Sequence, residues 1–262
     1  MSVKLCNSHN AKAWYAKLNA NKEARSLIES SKAHSFVRSG LITDEELEDV
    51  ELIDNFVLQI LGNKSHEAAM QWKEFSGNKT CILNFASFFN PGGGFLRGAG
   101  AQEESLCHAS ALYPILKESP FYEDRKKLDV PPEYLSEVIY TPDVPFYKDY
   151  NPVNPVMCDV ISCAAPNLNR ARNLDADHYG EILSERLKLI FEVPLLNGCN
   201  SLVVGAWGCG VFGNDYHIIL PAMLDAINAY SKFYRTVIVA LPNREHLEFM
   251  TELASSVYRS TT

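Results

Sequence analysis

Short apolar runs alternate with amphipathic stretches along most of this 262-residue chain. That alternation restricts the fold more than any other feature. Phe56–Leu61, Cys81–Phe85, Val156–Ala164, Leu202–Ala206 and Thr236–Leu241 read as buried strands. Between them, Ser65–Phe75, Gln102–Leu116, Tyr179–Leu196 and Tyr216–Tyr230 carry apolar residues at helical spacing. Strands that are apolar on both faces need helices on both faces, which predicts a largely parallel sheet in an α/β fold. In such sheets ligands bind beyond the carboxyl ends of the strands, in the loops that lead into helices.

Upstream, residues 10 to 61 carry a helical pattern, with Trp14, Leu18, Ala24, Leu27 and Ile28 on one face, and strand character begins at Phe56. Thr43-Asp44-Glu45-Glu46 is a capping box that announces a second helix, continued by Leu47, Val50 and Phe56. Residues 1–55 are therefore expected to form a helical extension packed on a core domain of residues 56–262. Residues 117 to 155 hold seven of the 13 prolines and many tyrosines, Tyr134 among them. They predict an irregular excursion on the rim with one short strand, Val138–Thr141.

Composition excludes several classes. A net charge of −8 disfavours nonspecific nucleic-acid binding, which needs a positive phosphate-contacting face. No apolar run approaches the roughly 18 residues of a membrane span, and the N-terminus lacks an apolar signal region. The seven cysteines form no C-x-x-C pair and read as buried, reduced thiols. The expectation is a cytoplasmic protein without membrane contact, though export by a non-classical route stays open. The histidines show no metal-ligand spacing, so no metal and no cofactor are expected.

Nine of the 14 glycines fall in two segments, Gly92 to Gly100 and Gly205 to Gly213. Each follows a strand and leads into a helix, where backbone N–H groups can cradle phosphate oxygens. Gly208-Cys-Gly-Val-Phe-Gly213 matches G-x-G-x-x-G, but no acidic ribose partner follows about 20 residues on, so it is not the dinucleotide fingerprint. Gln102-Glu103-Glu104 follows the first segment. Two glutamates there suit the positive end of a helix, and they equally suit acid catalysis on a ligand held by the two loops.

The run Asn90-Pro91-Gly92-Gly93-Gly94, with Gln102-Glu103-Glu104 after seven residues, resembles the G-G-G-x(6–8)-Q-E-E signature of poly(ADP-ribose) glycohydrolases. It is most similar to their compact bacterial branch. Tyr140–Phe146, Val160–Asn167 and Val204–Asn214 resemble that branch in the same order, over roughly residues 56 to 250. The resemblance implies a macrodomain-like three-layer α/β/α sandwich around a mixed, largely parallel sheet. It implies Glu104 as catalytic acid and Glu103 as the carboxylate that holds the terminal ribose, with Gln102 fixing the turn. Asn90, Gly92, Gly93 and Gly94 would pass the ribose and diphosphate. Gly205, Gly208, Cys209, Gly210, Val211 and Phe212 would form the second diphosphate loop, with Phe212 against the distal ribose. Asn167, with Asn63–His66 and Leu241–Asn243, would lie near the adenine. Asn84 reads either as a ribose contact or as support for loop backbone. His108, Tyr147 and Lys148 depart from the residues usual in the branch.

Opening a ribose–ribose O-glycosidic bond passes through an oxocarbenium-like transition state and needs a proton on the departing oxygen. Successive helix positions point about 100° apart, so one acid and one positioning carboxylate is the expected division. The expected activity is an exo-acting hydrolase that takes poly(ADP-ribose) or ADP-ribosylated protein and yields ADP-ribose. Hydrolysis of mono-ADP-ribose, or binding of ADP-ribose without cleavage, stays open. Trp207 reads as core, Cys209 as packing rather than nucleophile, and Arg97, Arg170 and Arg172 as polymer-phosphate contacts or plain surface charges.

Overall fold

The computed structural model describes residues 3–128, 135–171 and 174–259, so Tyr134 and Arg172 lie outside it, as does the side chain of Cys6. Helices α1 (Val3–Ala20) and α2 (Lys22–Ala33) open the chain. Asn21 caps α2 by accepting from the Ala24 N–H at 2.8 Å. They are followed by β1 (Phe36–Ser39), α3 (Asp44–Leu47), β2 (Val57–Leu61), α4 (Ser65–Ser76) and β3 (Thr80–Phe85). After the first glycine segment come α5 (Gln102–Ala109), α6 (Leu112–Lys117), α7 (Pro120–Arg125), β4 (Glu137–Phe146) and β5 (Val156–Cys163). The chain ends with α8 (Ala176–Leu196), β6 (Ser201–Val204), α9 (Tyr216–Tyr230), β7 (Thr236–Ala240) and α10 (Arg244–Arg259).

The seven strands form one mixed sheet in the order β1-β4-β5-β3-β6-β7-β2. The five from β5 to β2 run parallel, while β1 and β4 are antiparallel additions at one edge. Neighbouring residues on each central strand enter opposite cores. Leu83, Ile161, Val204 and Val239 pack with α8 and α9, whereas Ile82, Val160, Val203 and Ile238 pack with α1, α2, α4 and α5. Alternate side chains on opposite faces, both apolar, account for the unbroken hydrophobic runs. Trp14 is buried in the second core and its Nε1 donates to the Ser110 carbonyl at 3.2 Å. The N-terminal helices are thereby fixed against the segment that follows Glu103 and Glu104.

The structure departs from the sequence reading at four places. Residues 36–39 are a strand, not helix: β1 pairs with Glu137–Tyr140 of β4 and is too short for a period to show. The capping box at Thr43 forms, with the Thr43 N–H donating to Glu46 at 2.9 Å, yet α3 is only one turn long. The helix expected over 102–116 breaks at Ser110, because Pro114 in α6 can offer no N–H to the carbonyl of residue 110. The short strand of the excursion extends to Phe146, past a register shift between Thr141 and Val144 where Asp143 has φ +49°. The spacing of Leu247, Met250 and Ala254 also fits the helix α10, which the strand–helix pattern above stopped short of naming. Among the described residues, no helix is long and apolar enough to cross a membrane.

Candidate active site

Strand β3 delivers the chain to the end of the sheet, and the first glycine segment turns back so that α5 begins beside it. Gln102 makes this junction rigid. Its Oε1 accepts the Phe85 N–H at 2.9 Å, and its Nε2 donates to the Leu83 carbonyl at 2.8 Å and to Ser65 Oγ at 3.2 Å. The amide is thus spent on these bonds across the turn, although the residue also borders the cleft.

The two glutamates divide their work. Glu103, 3 % exposed, accepts from Asn84 Nδ2 at 3.3 Å and the Gly92 N–H at 3.1 Å through Oε1, and from the Ser87 N–H at 2.7 Å through Oε2. Burial pushes its pKa up to about 8, against the pull of these donors. Glu104, 6 % exposed, accepts the Gly94 N–H at 2.6 Å through Oε1 and the Ala101 N–H at 2.9 Å through Oε2. The latter bond is the returning half of a capping box at the start of α5. Asn84 is therefore support: its Nδ2 bridges Glu103 and Ser162 Oγ, the latter at 3.0 Å.

The glycines are dictated by this proximity. At Gly93, where φ is +60°, a Cβ would collide with Oε1 of Glu104 and stand 3.0 Å from Oε2 of Glu103. At Gly92 (φ +66°) a Cβ would stand 2.7 Å from the Tyr113 ring. Gly92 supplies an N–H to Glu103 but does not border the cleft.

The second loop, after β6, is stapled rather than flexible. Asn214 Nδ2 donates to the carbonyls of Pro166 (2.9 Å) and Gly208 (3.0 Å), and its Oδ1 accepts from Tyr179 Oη at 2.9 Å. Asn169 Nδ2 donates to the Val211 carbonyl at 2.9 Å, and the Leu168 N–H to that of Phe212 at the same distance. These bonds join the loop to the segment after β5. Gly208, at φ +80°, leaves no room for a Cβ against Ala165 and Asn214, each 2.5 Å away. Gly205 is held clear of the cleft, where a Cβ would stand 2.6 Å from the Ala240 carbonyl; it serves packing between strand ends.

Both loops face a cleft of about 1030 Å³. Asn90, Gly93, Gly94, Glu103, Glu104 and Asn167 border it, as do Gly208, Cys209, Gly210, Val211 and Phe212 on the far side. Val211 projects from the loop tip, 72 % exposed. Arg97 and Arg170 reach the cleft, as do Lys64, Ser65, His66 and the run Leu241–Asn243; Asn63 does not. Oδ1 of Asn167 is buried without a hydrogen-bond partner among the described residues. Trp207 is core, donating from Nε1 to the Cys163 carbonyl at 2.9 Å. Burial pushes the Cys209 thiol up to about 12 and leaves it unsuited to nucleophilic attack. No cluster of metal-ligating side chains occurs among the described residues.

Sequence reasoning assigned no role to Ser87, whose contribution is a backbone N–H and carries no residue signature. It also gave none to Asn214, although an asparagine directly after Gly213 at a helix start is a usable sign of side-chain-to-backbone bonding.

The family model for the microbial-type poly(ADP-ribose) glycohydrolase (PARG) catalytic domain matches residues 4–149. It begins inside the segment that the motif resemblance left out, because α1 and α2 carry no distinctive motif. The fold is similar to the crystal structure of PARG from Thermomonospora curvata, with a TM-score of 0.83 and 24 % identity over 95 % of this chain and 99 % of that one. The same enzyme bound to the inhibitor ADP-HPD superposes at 0.79, with 24 % identity over 95 % and 99 %. PARG from Deinococcus radiodurans in complex with ADP-ribose gives 0.72, at 26 % identity over 88 % and 98 %. No curated protein matches the chain by sequence.

Proposed function

The chain belongs to the microbial-type poly(ADP-ribose) glycohydrolase family, and from that premise we propose an exo-acting enzyme that removes terminal ADP-ribose with Glu104 as its general acid. One observation carries the reading. A pair of buried carboxyls, each hung on N–H groups of the first glycine segment, stands in a cleft whose opposite wall is a second glycine loop. The diphosphate lies along the two loops, where N–H groups offset its charge. A bound diphosphate favours the neutral form of a neighbouring carboxyl and stabilises a positive charge developing on the adjacent sugar.

Among the described residues each Glu104 oxygen is bonded to one donor, so the carboxyl retains positions from which to protonate the departing glycosidic oxygen. Glu103 has three donors for four lone-pair sites. The fourth meets a ribose hydroxyl, as acceptor or, when protonated, as donor. Asn167 borders the cleft, and its buried Oδ1, unpartnered among the described residues, could accept from the exocyclic amine of adenine once the side chain turns outward. The enzyme works in the reducing cell interior on this reading, which the buried free thiols support. Residues 1–55 act as an extension that braces the catalytic core of 56–262.

The deciding experiment is Glu104→Gln. It should bind ADP-ribose within a few-fold of wild type yet release it from polymer roughly 10²- to 10⁴-fold more slowly. Equal turnover by the two proteins removes the acid assignment. Release from mono-modified protein alone would move the activity to that linkage, and oligomers among the earliest products would replace exo with endo cleavage.

A further inference from the structure

Beside the segment that follows β3, but not itself bordering the cleft, lies an arginine that the proposed chemistry does not use. Arg125, at the end of α7, is 3 % exposed. Its guanidinium carbon sits 3.4 Å from the ring centre of Phe88 and 4.1 Å from that of Phe121, between two aromatic faces. Its Nη2 pairs with Glu137 of β4, whose other oxygen accepts from Ser39 Oγ of β1 at 3.0 Å. Burial lowers the guanidinium pKa to about 10, so the group stays charged at neutral pH. Phe88 is next in sequence to Ser87, the residue whose N–H donates to Glu103 at 2.7 Å. Contacts therefore run unbroken from the sheet edge to the catalytic carboxylates: Glu137, Arg125, Phe88, Ser87, Glu103. Nε and Nη1 of Arg125 and the Tyr122 hydroxyl have no hydrogen-bond partner among the described residues. Both residues border a cavity of about 10 Å³ shared with Ser87 and Ser162, which is room for a single water molecule.

We propose that Arg125 is a positioning residue for glycoside hydrolysis: the flat face of its guanidinium holds Phe88 so that the Ser87 N–H stays fixed on Glu103, and Glu103 in turn holds, through the Gly92 N–H, the loop whose Gly94 N–H binds Glu104. The assignment rests on the glycohydrolase reading above. Planarity is the property in use. A lysine keeps the charge beside Glu137 but presents a compact ammonium that cannot stack between two rings. A loop displaced by a fraction of an ångström misplaces the acid while leaving the second glycine loop, and most of the ligand's binding surface, untouched.

The test compares Arg125→Lys and Phe121→Leu with wild type, measuring ADP-ribose release from polymer, ADP-ribose affinity and melting temperature. Phe121 borders the small cavity and not the cleft, so its truncation loosens the arginine without entering the binding surface. The expected result for Arg125→Lys is a kcat lower by on the order of 10-fold, with KM and ADP-ribose affinity within about twofold. Its melting temperature should stay close to wild type. Phe121→Leu should move kcat in the same direction by less. Wild-type kcat in both variants overturns the proposal, and so does a loss of kcat that tracks the unfolded fraction. Should Arg125→Lys fail to fold, Phe121→Leu decides alone. A wild-type protein that releases no ADP-ribose overturns the hydrolase reading itself, and this assignment with it; full wild-type turnover with indifferent variants overturns only the arginine.

Discussion

Gly93 and the carboxyl of Glu104 lie so close that no side chain can be placed on the glycine without striking Oε1, and the φ of +60° at Gly93 independently disfavours any other residue. Gly93→Ala must therefore displace Glu104, Glu103 or the loop. The backbone strain alone costs on the order of 1–3 kcal/mol. The larger effect is on chemistry, because Glu104, the proposed acid, is moved relative to the bond it would protonate, and kcat/KM should fall by on the order of 10²-fold or more. Release of ADP-ribose from polymer, with a melting curve to separate the two effects, checks it. Turnover within a few-fold of wild type would mean that the close approach is incidental.

Asn214 is predicted to govern affinity rather than rate. Among the described residues, its side chain closes the second loop onto the Pro166 and Gly208 carbonyls and makes no hydrogen bond to Glu103 or Glu104. Removing it in Asn214→Ala takes the side-chain donor from the Pro166 carbonyl, a cost of about 1–3 kcal/mol, while the Gly208 carbonyl keeps the backbone N–H of residue 214. A loosened loop should weaken ADP-ribose binding by on the order of tenfold, the equivalent of about 1.4 kcal/mol. Calorimetry and steady-state kinetics together should show a raised Kd and KM with kcat nearly intact. A kcat loss at unchanged KM would contradict the assignment.

The residues that declared themselves in the sequence are those whose type is forced by local backbone or by chemistry. The parallel strands were readable because Ile82, Leu83, Val203 and Val204 face two apolar layers. The paired glutamates stood out because glycines precede them at a spacing that regular structure does not need. What stayed hidden acts at a distance or through the main chain. β1 is four residues whose identity as a strand depends on Glu137–Tyr140, about a hundred positions away. The break at Ser110 turns on Pro114 and on the Trp14 indole that meets the Ser110 carbonyl. Gly92 and Gly205 show the converse, since each is required by packing and neither borders the cleft. Glycine in a loop signals close approach without saying what approaches.

The protonation of Glu103 should be visible in stability. Its folded pKa, about 8, stands above the ordinary value of 4.5 because the group is buried. The contribution is full below about pH 4.5 and is lost as pH rises towards 8, where the unfolded chain gains by ionising before the native state does. Glu103→Gln cannot titrate and lacks this dependence. The stability difference between wild type and variant should therefore shift against wild type by a few kcal/mol between pH 5 and 8. Urea unfolding at the two pH values measures it. A constant difference would show that the three donors keep the carboxyl ionised throughout.

Cys209 borders the cleft, and a thiol so placed invites a nucleophilic reading. The structure argues the other way. Its Sγ lies 3.7 Å from the Trp207 carbonyl, half-buried, and burial with nearby Asp215 pushes the thiol up to about 12. At pH 8 a group of that acidity is ionised in roughly one molecule in 10⁴. His217, the base nearest in sequence, is turned to Asp215, its Nδ1 standing 2.9 Å from Oδ1. Cys209→Ala should therefore retain kcat within about twofold, with any change confined to KM through loop packing. A covalent role would show instead as a loss on the order of 10³-fold or more in kcat together with a trapped adduct on the wild-type thiol. Mass spectrometry of the enzyme quenched during turnover distinguishes the two, because acid catalysis by Glu104 leaves the mass of the protein unchanged.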